Sequence, residues 1–193
     1  MTVAPHVRVV SVNVSRVRTV PWKGTVVATG IYKEPVRGPV RIGDRGLEGD
    51  EQADLDAHGG PSKAVYLYPS EHYDFWRREL PDLVLGWGAF GENITTAGLL
   101  EGGVRVGDRL RAGTAVLRVT KPRFPCYKLG IRFGREDIVD RFLRSGRSGF
   151  YAAVLERGAV TAGDPIEFEG RGEGRPTITE IVMARLQGGD EEE

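Results

Sequence analysis

VGDRLRAGTAVLRV, residues 106–119, decides the fold. Its Gly-Asp pair is a turn signal, and the apolar, β-branched run behind it reads as a strand entered from that turn. TAGDPIEF at 161–168 repeats the device. Further short β-branched runs lie at 7–14, 24–32, 63–68, 150–156, 164–170 and 177–183, punctuated by 27 glycines and 11 prolines. The pattern predicts a mainly β (α+β) chain, with closed β-barrel topology as the leading architecture and a few peripheral helices. Two segments break the strand pattern. SEHYDFWRREL at 70–80 spaces Tyr73, Trp76 and Leu80 as a helix does, and REDIVDRFLRSG at 135–146 puts Ile138, Val139, Phe142 and Leu143 on one helical face. In the second, acids open the helix, arginines close it, and Gly146 is a fitting stop.

The 193 residues predict one domain over 1–183, with 184–193, ending in GGDEEE, as a disordered acidic tail. Basic and acidic residues balance at 27 each, which argues against a general nucleic-acid footprint and confines any anion site to a local pocket. The start lacks the charged and apolar regions of a secretory signal, and no 18 apolar residues run together, so a soluble, cytoplasmic protein without membrane contact is expected. One cysteine cannot form an intrachain disulfide, and with three histidines it cannot build a cysteine-rich zinc site.

That cysteine lies in KPRFPCYKLG, residues 121–130, where Pro122 and Pro125 restrict the backbone and Lys121, Arg123 and Lys128 surround Cys126 in sequence. Cations pointing at the thiol would favour the thiolate, the nucleophilic and metal-ligating form; a buried small hydrophobe is the ordinary alternative. A second cluster, in residues 46–73, gathers Asp50, Asp54, Asp56, His58 and Lys63 around Gly59-Gly60-Pro61, either as a close-approach loop or as an ordinary solvated one. His72 reads as a packing histidine. GAFGENIT (88–95) contributes Asn93, and RSGRSGF (144–150) contributes Arg147 and Ser148, a pair suited to phosphate. Walker A, dinucleotide-binding and nucleophile-elbow motifs are absent.

Taken in order, GLEGDEQADLDAHGGPSKAVYLYPSEHYDFW, GAFGENIT, VGDRLRAG, KPRFPCYKL and RSGRSGFYAAVLERG resemble the MOSC family, named after the molybdenum cofactor sulfurase C-terminal domain. The resemblance runs from about residue 24 to about residue 170, and is nearest to bacterial stand-alone proteins that reduce N-hydroxylated bases such as 6-hydroxylaminopurine. It implies a MOSC-type β-barrel holding a pyranopterin dithiolene molybdenum cofactor, with Cys126 as the protein ligand to molybdenum. A metal already held by two dithiolene sulfurs needs one soft protein ligand, which fits a lone cysteine.

The expected activity is removal of oxygen from N-hydroxylated compounds of the hydroxylaminopurine or amidoxime type. Asp56 and His58 would handle protons, and Lys63, Asn93, Arg123, Lys128 and Arg147 would bind the pterin or its phosphate. Electrons would come from a separate reductase, since no flavin, haem or iron–sulfur motif is present. Two other readings stand beside it: a cofactor or sulfur carrier using Cys126 as metal ligand or persulfide, and a zinc hydrolase using His58, His72 and Cys126. Longer bacterial relatives continue into a small helical domain, whereas this sequence ends soon after TITEIVMARLQ.

Overall fold

In the computed structural model, residues 7–53 and 60–189 are described. Among them the strands are β1 (Arg8–Val14), β2 (Arg18–Trp22), β3 (Thr25–Thr29), β4 (Glu34–Pro35), β5 (Val40–Gly43), β6 (Gly46–Leu47), β7 (Val65–Pro69), β8 (Ile94–Ala97), β9 (Arg109–Ala112), β10 (Ala115–Pro122), β11 (Phe150–Glu156), β12 (Gly158–Val160) and β13 (Ile166–Gly170). The helices are α1 (Glu71–Glu79), α2 (Tyr127–Phe133), α3 (Ile138–Arg144) and α4 (Ile178–Gly189). The fold is mainly β with a few helices. Eight strands form one sheet in the order β13, β9, β10, β11, β7, β8, β1, β4, in which only the β7–β8 pair is parallel.

The expected closed barrel is not formed by these ladders. β13 and β4 remain edges, and the start of β1, next to the β4 edge, meets the residue before β13 through one bridge, Arg8 to Pro165. Bonds from Val9 N to Asp164 O (2.9 Å) and from Ile166 N to Val7 O (2.8 Å) flank it. Gly163 N donates to Val9 O (2.9 Å) beside them, and no further register is paired among the described residues.

β7 shows how the layers are built. Alternate side chains point to opposite faces of a strand. Val65 and Leu67 enter one core, with Val12, Ile94, Leu117 and Phe150, while Tyr66 and Tyr68 enter a second, aromatic core with Trp76, Phe90 and Phe142. Helices α1, α2 and α3 cover that second face. The Gly-Asp turn before β9 is held by Asp108, fully buried, whose carboxylate accepts from Arg105 N (2.8 Å) and Gly172 N (2.7 Å).

The run TITEIVM, expected as a strand over 177–183, is instead the start of α4. Thr177 and Glu180 form a reciprocal cap: Glu180 N donates to Thr177 Oγ1 (3.1 Å) and Thr177 N to Glu180 Oε2 (2.6 Å). Ile178 and Val182, four apart, are its buried positions. The helix reaches Gly189, into the stretch expected as a tail. A further helix, α2, begins directly after Cys126 where only a loop was expected, and α3 is shorter than the 135–146 segment. No helix among the described residues is long and apolar enough to cross a membrane.

Candidate functional site

β10 runs out of the sheet through a register shift between Val119 and Lys121 and delivers the Pro122–Cys126 loop to the mouth of a cleft. Bulges of this kind re-aim a strand end. Cys126, half-buried and not disulfide-bonded, lines the cleft together with Arg123 and Lys128. Lys63 lines it too. It is carried by a short 3₁₀ turn, Pro61–Lys63, that starts at Gly60 with φ 88°, a left-handed conformation that favours glycine. Three of the four cationic candidates therefore converge with the thiol, as does Asn93.

Arg123 is the most informative of them. Only 5% of it is exposed, its guanidinium lies 5.0 Å from the Phe142 ring centre and 5.5 Å from that of Tyr66, and its Nη1 has no hydrogen-bond partner among the described residues. A buried donor without a partner is costly, and water, an ion or a ligand normally satisfies it. Lys128 is likewise buried on α2.

The opposite wall is a network that the sequence did not announce. Lys33 and Asp50 form an ion pair whose side chains are 8% and 4% exposed. Asp50 also accepts from Ser15 N (2.9 Å) and from Asn93 Nδ2 (2.8 Å), and Asn93 Oδ1 accepts from Tyr66 N (3.0 Å). Asn93 thus lines the cleft with its amide committed to holding the wall together. Burial pulls the Lys33 ammonium below the usual lysine range, even though Asp50 opposes that shift. Beneath it, Glu92 is fully buried and closes the GAFGENIT loop upon itself, accepting from Gly88 N (2.8 Å), Phe90 N (3.2 Å), Thr95 Oγ1 (2.9 Å) and the Tyr73 hydroxyl. Burial raises its carboxyl above the ordinary range, and those donors limit the rise.

Other candidates lie elsewhere. Arg147 does not line the cleft: its guanidinium sits 3.7 Å from the Phe75 ring centre and donates to Ser145 O (3.0 Å). Ser148 is buried, and its carbonyl accepts from the Tyr66 hydroxyl (2.8 Å). His72 is a packing histidine as expected, its Nε2 2.8 Å from Glu101 Oε2 and its ring against Tyr68. Asp56 and His58 lie outside the described residues, as does Asp54.

A thiol and two buried cations thus share one cleft with a polar network; thiolates suit soft metals, and such cations suit anions. The model of one family matches the chain. The MOSC domain model matches residues 54–167, more than half of the chain, and the chain belongs to that family, which is associated with binding the molybdenum cofactor. YflK of Bacillus subtilis (strain 168) is 45% identical over 165 residues, covering 86% of this chain and 74% of that protein. A protein of Gibberella moniliformis (strain M3125 / FGSC 7600) named Reductase is 40% identical over 147 residues, 74% of this chain and 26% of that one. The crystal structure of YiiM from Geobacillus stearothermophilus aligns with a TM-score of 0.79 at 35% identity, covering 95% of this chain and 86% of that one.

Proposed function

We propose that this protein is an oxidoreductase that binds the molybdenum cofactor and removes oxygen from N-hydroxylated compounds of the hydroxylaminopurine or amidoxime type. The observation that carries the reading is the unsatisfied Nη1 of buried Arg123 in the same cleft as Cys126. The residues present fit the group: the Cys126 thiolate is a soft ligand for molybdenum, and Arg123, Lys128 and Lys63 are donors for its phosphate. The chemistry such a cofactor supplies when bound is two-electron, oxygen-accepting redox chemistry.

This chain's own residues do the rest. Lys63, Arg123 and Lys128 hold the anionic group, and burial keeps the charges of Arg123 and Lys128 from being screened by water. Asn93 and Asp50 keep the facing wall in register. Reduction of an N–O group to an amine and water consumes two protons and two electrons. Asp56 and His58 supply the protons. The electrons come from a separate reductase. Membership in the family and the name of the Gibberella relative, of which the matched segment is about a quarter, support an oxidoreductase role.

The test is metal analysis of protein made in a host that synthesises the cofactor, followed by an assay with benzamidoxime and a chemical reductant. Wild type should carry molybdenum and turn over, while Cys126→Ser should keep its fold and lose metal or activity. Bound molybdenum without turnover would replace the enzyme by a cofactor carrier. A persulfide on Cys126 without molybdenum would replace it by a sulfur carrier.

A further inference from the structure

The aromatic side chains of the second core are spent on one another: Tyr68, Trp76, Phe90 and Phe142 pack ring against ring. Phe124 stands apart. It lines the cleft, is 41% exposed, and makes no ring contact with any described residue. Nothing in the packing of the fold requires an aromatic side chain there. Its backbone is nevertheless constrained, because Pro125 follows it and Pro122 precedes it by two residues, fixing φ at both positions. An exposed ring on a constrained loop, two residues from the thiol and next to the buried Arg123, is a flat apolar surface presented to whatever enters the cleft.

The cations and Cys126 take the polar end of the site, which leaves Phe124 for the body of the substrate. We infer that Phe124 is a specificity-determining residue, stacking on the planar face of N-hydroxylated aryl or heteroaryl substrates and favouring them over aliphatic compounds with the same reacting group. This rests on the proposed function for the reaction, and on the exposure of the ring for the preference. Stacked aromatic pairs prefer offset or edge-on arrangements, and an open ring face accommodates either.

Benzamidoxime and acetamidoxime carry the same reacting group and differ in phenyl against methyl. With cofactor-loaded wild type, Phe124→Ala and Phe124→Tyr, the ratio of kcat/KM for benzamidoxime to that for acetamidoxime should fall about 5- to 10-fold in the alanine variant and stay near wild type in the tyrosine variant. The change should appear mainly in KM. An unchanged ratio in Phe124→Ala overturns the inference. A second readout needs no turnover: 2-aminopurine, a planar fluorescent base, should bind wild type with quenched emission, and about 5- to 10-fold more weakly to Phe124→Ala. If no variant reduces either amidoxime, the enzymatic reading falls, and the 2-aminopurine titration still decides the role of Phe124, equal binding to all three proteins overturning it.

Discussion

Replacing Asp50 by Asn should expose the energetics of the cleft wall. In the native protein Lys33 is buried with Asp50 as its ion-pair partner. The substitution keeps the shape of residue 50 and removes the charge, leaving an ammonium in a dry site. Breaking a buried ion pair from one side typically costs about 3–5 kcal/mol, because the remaining charge is uncompensated. For a chain of this length each kcal/mol moves Tm by about 2–4 °C, so the expected loss is on the order of 10 °C. Lys33→Met should cost less, about 1–3 kcal/mol, since Asp50 keeps the Ser15 amide and the Asn93 side chain as donors. The double variant should be more stable than the sum of the two losses implies, by about 0.5–3 kcal/mol.

The deficit should also depend on pH. Burial already holds Lys33 below its usual pKa of 10.5, and loss of Asp50 removes the group that opposes this shift. Between the folded value and 10.5 the unfolded chain binds more protons than the folded one, so stability rises with pH across that window. The window is wider in Asp50→Asn, so its deficit relative to wild type should be largest at neutral pH and shrink towards pH 10. Urea denaturation followed by circular dichroism from pH 6 to 10 measures this. A deficit under 1 kcal/mol at pH 7, or one that stays constant over the range, would refute the reasoning.

Three further outcomes are expected. Arg123→Lys should retain markedly less cofactor than wild type after identical dialysis, because an ammonium lacks the planar fork that binds phosphate through two donors; equal retention would remove Arg123 from the site. Asp56→Asn and His58→Asn should keep molybdenum content and Tm near wild type while lowering turnover about 10²-fold, the low end for general acid–base catalysis, and unchanged turnover in both would take them out of the mechanism. Thr177→Ala should lower stability by about 1 kcal/mol, a shift of about 2–4 °C in Tm, through loss of the α4 cap; no shift would mean that packing of Ile178 and Val182 alone sets that helix.

The strands were legible wherever β-branched residues ran between glycine turns, and 150–156 matches β11 residue for residue. The error at 177–183 has a clear cause: ITEIV is as β-branched as any strand of this chain, but Thr177-x-x-Glu180 is a capping box, and that local signal outweighed propensity. α2 was hidden by Gly130 in mid-helix, a residue that lowers helix propensity; there a Cβ would come within 3.2 Å of Arg135 O, so the glycine serves the close packing of the segment after the helix. The question of barrel closure was beyond composition, since it turns on one bridge at Pro165.

At the site, sequence neighbours were readable and distant partners were not. Arg123, Cys126 and Lys128 fall within six residues, and all three line one cleft. Lys33 sits in GIYKEP with nothing local to mark it, and Asp50 was one acid among several until the fold paired the two. The same network explains how a chain with balanced charge concentrates cations in one place. Asp50 compensates Lys33, so that wall contributes structure without excess charge, whereas the buried Nη1 of Arg123 has no hydrogen-bond partner among the described residues. On the proposed function, this would separate structural charge at Lys33 from binding charge at Arg123, and an anion bound there would satisfy the open donor.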